Sequence, residues 1–275
     1  MAEFGAPSHL PNCRGNGLLQ PIYDTDLNDV AGCDPLFTCE NPAGLAADLT
    51  ILRDAGAVSL TMVTDPLGGL ESDLLTRFCQ PIARPYKAHY LVSLNADNFG
   101  STHHRRNARR SSRQTLFSVC QQPDAELQNW CDLYERLAER HNITRPARFS
   151  RQAFAQQLAL PGVLLIQARN TDDELLGMQF WFHDQAKAWH HLSGYNPAGY
   201  RQVGVSYGLM NFALSALKSR GVQVANLGAG AGLQADANLY GQLSDEHRTS
   251  YFPTYRDPLK TNPQPQTEAI HVYAH

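Results

Sequence analysis

No stretch of this 275-residue chain approaches the ~20 consecutive apolar residues that a bilayer-spanning helix needs, so no membrane span is expected. An excess of either charge is also missing. Twenty-three Lys and Arg face 26 Asp and Glu, for a net charge of −3, which excludes a surface that binds nucleic acid all over. The six cysteines form no Cys-x-x-Cys pair, and Cys33 and Cys39 lack zinc-ligand spacing, so no metal is expected. The opening residues, MAEFGAPSHLPNC, have no basic start running into an apolar stretch. The expected location is therefore the cytoplasm, with reduced thiols. Three familiar catalytic patterns are absent too: the G-x-S-x-G elbow, H-E-x-x-H and the Walker loop. The run NLGAGAG at 226–232 follows a strand pattern. LQADANLY after it is a poor start for a crossover helix, so a dinucleotide fold is not supported.

What is present reads as alternating helices and strands. Residues 1–40 scatter Pro, Gly, Asn and Asp and are expected to be loop-rich. NPAGLAADLTILRDAG reads as a helix capped by Asn41, with Pro42 at its first position and Gly56 at its end. AVSLTMVTDP reads as a strand, ESDLLTRFCQ as a helix and YKAHYLVSL as a strand. HHRRNARRSSR, 103–113, packs five arginines into eleven residues, with Arg105, Arg109 and Arg113 on one helical face and Arg106 and Arg110 beside it. Leu127, Trp130, Leu133, Tyr134 and Leu137 mark an amphipathic helix, and SRQAFAQQLAL a further one capped by Ser150. GVLLIQARN, ELLGMQFWFHD and AKAWHHLSGY, joined by short polar loops, predict an antiparallel meander. A helix over roughly 204–220 and the strand VQVANLG follow.

That helix has glycines at both ends. Its N-terminus, Arg201-Gln202-Val203-Gly204-Val205-Ser206, offers unpaired N–H groups, a partial positive charge and an arginine, which suit a phosphate. The plainer reading is that Gly204 and Gly208 permit a turn and close helix packing.

RQVGVS matches the acyl-CoA signature Arg/Gln-x-x-Gly-x-Gly/Ala except for Ser206 in its last place. Together with Tyr195-Asn196-Pro197 before the helix, Gly221 at its end, and the strand Asn226-Leu227-Gly228-Ala229-Gly230, it resembles the acetyltransferase superfamily called GNAT. More narrowly it is similar to the Fem-type peptidoglycan bridge enzymes and their small acyltransferase relatives, which show a D-x-G-x-G-like strand where this chain has Asn226. An arginine cluster like HRRNARR before the catalytic half is common in that branch. The resemblance covers about 105–256, and more weakly the first half.

The resemblance implies an α/β (α+β) fold of GNAT type, a mixed, mainly antiparallel sheet flanked by helices. It implies two lobes: an abbreviated one over 1–100 and an acyltransferase lobe over 101–258, with an irregular tail at 259–275. It implies N-acyl transfer from an acyl-CoA thioester to a small-molecule amine. The N–H groups of Val203, Gly204, Val205, Ser206, Tyr207 and Gly208 would hold the pyrophosphate, and Gly228 and Gly230 would leave room for the acyl group or substrate. Some relatives take an aminoacyl group from tRNA, which makes Arg105–Arg113 a tRNA-phosphate candidate beside two other readings, a solvated helix face and a docking patch for an anion. A non-catalytic binding module of the same fold is the third alternative.

A base must accept the amine proton. His190 and His191 are candidates, and strand alternation lets only one face the cleft. Tyr195 and Tyr240 are candidate acids for the departing thiolate, and Asn226 could orient a substrate. Trp181 is either core or cleft lining. His247 and Arg248 sit where relatives carry a basic residue before an aromatic strand, and could meet an anionic substrate.

Overall fold

Short strands and period-2 burial build two separate sheets, one in each of two units, residues 1–89 with 264–275 and residues 90–263. The computed structural model describes residues 6–32, 36–68, 70, 80–85, 89–95, 99–144, 148–202, 204–228 and 268–273.

In the first unit, β1 (Ala6–Leu10) and β2 (Gly15–Pro21) form a hairpin, and β3 (Asn28–Gly32) pairs antiparallel to β2. This departs from the loop expected over 1–40. In β2 the polar Asn16 and Gln20 are exposed while Gly15 and Gly17 are buried, and in the turns Arg14 (φ 55°) and Asp24 (φ 60°) take left-handed conformations. Helix α1 (Leu45–Asp54) crosses to β4 (Ala57–Val63), which lies parallel to β3, and Gly56 at φ 85° makes the turn between them. Asn41 does not cap α1 through its side chain, and its Nδ2 donates to Asn12 O instead. The core gathers Leu10, Val30, Phe37, Leu45, Leu52, Leu60 and Met62 around Asp48, which is fully buried. Burial raises the Asp48 pKa, but bonds donated by Cys13 N (2.7 Å), Asn12 N (3.0 Å) and Asn12 Nδ2 (2.9 Å) outweigh it and hold the carboxyl below its usual range.

Two further strands complete this sheet. β5 (Gln80–Pro85) begins at the last residue of the expected helix ESDLLTRFCQ, whose other residues, 71–79, lie outside the described set. β12 (Glu268–Tyr273) inserts between β4 and β5, antiparallel to both. The tail expected to be irregular therefore supplies an internal strand of the first sheet.

The second unit has the strand order β6-β11-β10-β9-β8-β7: β6 (Leu91–Ser93), β7 (Thr115–Val119), β8 (Val163–Asn170), β9 (Leu175–Asp184), β10 (Lys187–Tyr195) and β11 (Val224–Asn226). β8, β9 and β10 are the antiparallel meander the turn signals predicted. Helices α2 (Thr102–Ser111) and α6 (Val205–Lys218) belong to one face, α3 (Leu127–Arg140) and α4 (Arg151–Leu158) to the other, and α5 (Pro197–Arg201) links β10 to α6. Alternation sorts the core. Leu164 and Ile166 join Trp181, Leu209, Ala213 and Leu217 under α6. Leu165 and Phe180 join Trp130, Leu133, Tyr134 and Phe154 under α3 and α4. Ser150 caps α4 as expected, accepting from Ala153 N at 3.1 Å.

Candidate active site

The parallel pair β10–β11 is short. Only Lys187, Ala188 and Trp189 find partners in β11, namely Val224, Ala225 and Asn226. From His190 to Tyr195, β10 has no strand neighbour on that edge among the described residues. β10 thus runs on past the end of β11.

A β-bulge follows the last β10–β11 pair. His190 pairs with Trp181 and Leu192 with Phe180, so His191 is the extra residue. Alternation sends the two histidines to opposite faces, and the bulge leaves His191 and Leu192 on the same one. His191 enters the α3–α4 side, with its ring 5.1–5.4 Å from the rings of Phe149, Phe180 and Phe182 and its Nε2 without a hydrogen-bond partner. His190 takes the α6 side, where its ring lies 4.9 Å from Trp181 and its Nε2 lies 2.8 Å from Ser193 Oγ. Burial pushes the His190 pKa down to about 4, against hydrogen bonds to the Leu227 and Leu192 main chains that favour the charged ring. Burial pushes His191 down to about 3, with the neighbouring His190 adding to the effect. Both rings are neutral at pH 7.

At the end of β11, Asn226 is buried and its Oδ1 accepts from Gly228 N at 2.9 Å, turning the chain at Gly228 (φ 83°). An aspartate would serve the same acceptor role, so the departure from the Asp of the relatives keeps this turn. On its other side the strand end is held by Leu227 N to Tyr90 O (2.8 Å) and Tyr90 N to Gly228 O (3.1 Å). Trp181 is fully buried beneath α6, with Nε1 donating to Gln179 Oε1 at 3.3 Å, and so lines no open surface. Tyr195 is half-buried against Tyr200, 5.3 Å between ring centres. Asn196 caps α5 through Gly199 N (2.6 Å) and ties it to β9 by donating to Leu175 O (2.7 Å), which is the structural work of the Tyr-x-Pro loop.

The N-terminus of α6 has neither a side-chain cap nor an acidic residue in its first turn. Ser206 and Arg201 are exposed there. Gly204 adopts φ 97°, and a Cβ on it would lie 2.8 Å from Asn107 O of α2. A Cβ on Gly208 would overlap the ring of Phe117. Both glycines thus have packing reasons, and α2 seats directly against this helix end, with the rings of His104 and Tyr207 4.8 Å apart. Along α2, Arg105 folds back onto Gly100 O (2.8 Å), whereas Arg106, Arg109 and Arg110 are exposed; Arg113, also exposed, lies past the helix end at Ser111 and so does not continue the expected face. Among the described residues no carboxylate forms an ion pair with any of these five arginines. Val203, Gly230, Tyr240, His247 and Arg248 lie outside the described residues.

Residues 101–235 match the model of the acetyltransferase (GNAT) domain family. Over that stretch, just under half of its length, the chain is similar to GNAT domains. The GNAT match begins at the arginine helix and contains β7 to β11. Among solved structures, the chain is similar to FemX (9% identity, 86% of this chain and 80% of that one, TM-score 0.62). It is also similar to L-PGS from Bacillus licheniformis (13%, 99% and 89%, TM-score 0.58). A third is the C-terminal domain of a putative lysylphosphatidylglycerol synthetase from Agrobacterium fabrum (16%, 82% and 71%, TM-score 0.57). At these identities the likeness shows a shared fold. No curated protein matches the chain. Among the described residues no group of His, Cys, Asp and Glu could hold a metal ion, and no helix is long and apolar enough to cross a membrane.

Ser193 and Gln179 join the site without a motif to announce them. Gln179 faces Ser193 across the β9–β10 pair. Only the extra residue at 191 puts Ser193 on the His190 face, and regular alternation places positions 190 and 193 on opposite faces.

Proposed function

We propose that the chain is an N-acyltransferase that moves an acyl group from an acyl-CoA thioester to an amine of a small-molecule, cell-envelope or natural-product acceptor. The observation that carries this reading is that β10 runs on beyond its last pair with β11, within the stretch that matches the GNAT domain, and is followed in sequence by an uncapped helix N-terminus. Main-chain groups of β10 beyond Trp189 would pair with the pantetheine arm, and the first turn of α6 with Arg201 would meet the pyrophosphate. Backbone donors would hold the developing oxyanion while the amine attacks.

Calorimetry with coenzyme A and acetyl-CoA tests it. Ser206→Asp adds a carboxylate to the helix N-terminus, so it should stabilise the fold by ~0.5 kcal/mol while weakening coenzyme A binding roughly tenfold. Arg201→Ala should weaken binding by a similar factor without changing the melting temperature. Unchanged affinity in both variants would remove the phosphate site from α6.

The exposed arginines of α2 favour a second reading, an aminoacyl-tRNA donor. Under it, tRNA binding falls steeply with salt, and Arg106→Gln with Arg110→Gln lowers the slope of log affinity against log salt by about 1–2. A slope that does not change in the double variant counts against this donor.

A further inference from the structure

We propose that the acyl group of the donor lies on the α3–α4 face of β10, over Phe149, Val163, Phe182 and Leu192, and that this surface selects an apolar chain longer than acetyl. This deepens the acyl-CoA reading above and rests on it. With the pyrophosphate on the first turn of α6, which follows β10 through α5, the pantetheine arm runs back along β10 from Tyr195. β11 takes that edge at Trp189, which pairs with Asn226. The thioester end of the donor therefore falls at residues 190–192, on the bulge.

Two surfaces meet there, and their chemistry differs. On the α6 side the half-buried groups are His190 and Ser193, which bond to each other at 2.8 Å beside a fully buried Trp181. On the α3–α4 side they are carbon. Phe149, Val163, Phe182 and Leu192 are each half-buried and pack on the core that contains Leu165 and Phe180. The bulge widens this apolar surface, because it leaves two consecutive residues, His191 and Leu192, on one face where a regular strand supplies one. His191 joins the patch through its ring, 5.1 Å from that of Phe149 and 5.4 Å from that of Phe182.

The outer wall of the patch is held in place. Phe149 lies on the α3–α4 connection, where its N–H donates to Tyr134 Oη at 2.9 Å and its ring lies 5.5 Å from Phe154. The next residue, Ser150, caps α4. An alkyl chain laid on these side chains displaces water from apolar carbon on both partners, whereas acetyl ends at its methyl and covers little of it. Each methylene fully removed from water strengthens binding about fourfold, so partial burial of the four that hexanoyl adds to acetyl gives about tenfold or more.

Calorimetry on the full chain with coenzyme A, acetyl-CoA and hexanoyl-CoA tests this. Wild type should bind hexanoyl-CoA about tenfold or more tightly than acetyl-CoA. Leu192→Gln, at a half-buried position, should bring that ratio close to one. Phe182→Ala should shift the preference toward decanoyl-CoA, because the shorter side chain leaves more length to fill. S-acetyl- and S-hexanoyl-pantetheine, which carry no phosphate, should show the same ratio as the two coenzyme A thioesters. Equal affinity of wild type for acetyl-CoA and hexanoyl-CoA overturns the inference and leaves the acyl-CoA reading standing. A preference for hexanoyl that survives both substitutions does the same. If coenzyme A does not bind but the pantetheine thioesters keep their ratio, the phosphate site falls and the acyl surface stands. Binding of none of these thioesters removes both.

Discussion

Gly204→Val is expected to destabilise the second unit by about 3 kcal/mol and to lower its melting temperature by roughly 6–12 °C. Two costs combine. At φ 97° a β-branched residue is strained, at about 1–2 kcal/mol. Its Cβ would also lie 2.8 Å from Asn107 O and 3.3 Å from Ser111 Cβ, so α2 must lift from the start of α6. Gly221→Val is the control. That glycine has a similar φ of 86°, but a Cβ there would meet nothing within 4 Å, so only the strain remains. All three tryptophans, Trp130, Trp181 and Trp189, belong to the second unit, so their fluorescence reports its unfolding alone. Equal losses in the two variants would mean that α2 does not seat on Gly204. The comparison also bears on function: lost activity in a Gly204 variant speaks to the seating of α2, whereas Ser206→Asp and Arg201→Ala speak to phosphate.

The elements legible in the sequence are those whose signal is local. The stripe Leu127, Trp130, Leu133, Tyr134 and Leu137 faces the core because 3.6-residue spacing leaves it no other arrangement. The meander β8–β9–β10 follows from apolar alternation and two short polar turns. Gly56 and Gly221 end their helices in the left-handed region, where glycine carries no Cβ penalty. Signals that depend on distant partners are not legible. Strands β1 to β3 are so short that turn residues outweigh their alternation, and β12 is a strand only because β4 and β5 flank it on both sides. The site shows the same division. The end of β10 and the start of α6 are visible from their glycines and polar loop. Parity rightly separates His190 from His191. It cannot say which one faces α6, nor that Ser193 accompanies His190, since both follow from one inserted residue whose position depends on pairing with β9.

Between pH 6.5 and pH 4 the second unit should lose much of its stability, because three of its histidines are held neutral. Burial pushes His104 down to about 4, with neighbouring His103 adding to it, and holds His190 near 4 and His191 near 3, against 6.5 for a free imidazole. The sign follows from proton uptake. As pH falls through 6.5 the unfolded chain takes up protons that the folded chain refuses until its own lower pKa values are reached, so stability falls across that window. Above about pH 7.5 both states are neutral and the effect vanishes. For His104, which is 3% exposed, the displacement corresponds to a loss on the order of 3 kcal/mol by pH 4. His190 and His191 act in the same direction. Asp48, held below 3.8 in the first unit, acts only at lower pH and does not enter this window. Urea midpoints followed by tryptophan fluorescence from pH 8 to pH 4 would show the decline. His191→Phe is the deciding variant. Phenylalanine suits a pocket already formed by Phe149, Phe180 and Phe182, and it removes an Nε2 that has no partner. The variant should match or exceed wild type at pH 7 and decline less steeply in acid. If its slope equals that of wild type, His191 is not held neutral in the folded chain, and the aromatic pocket is not closed around it.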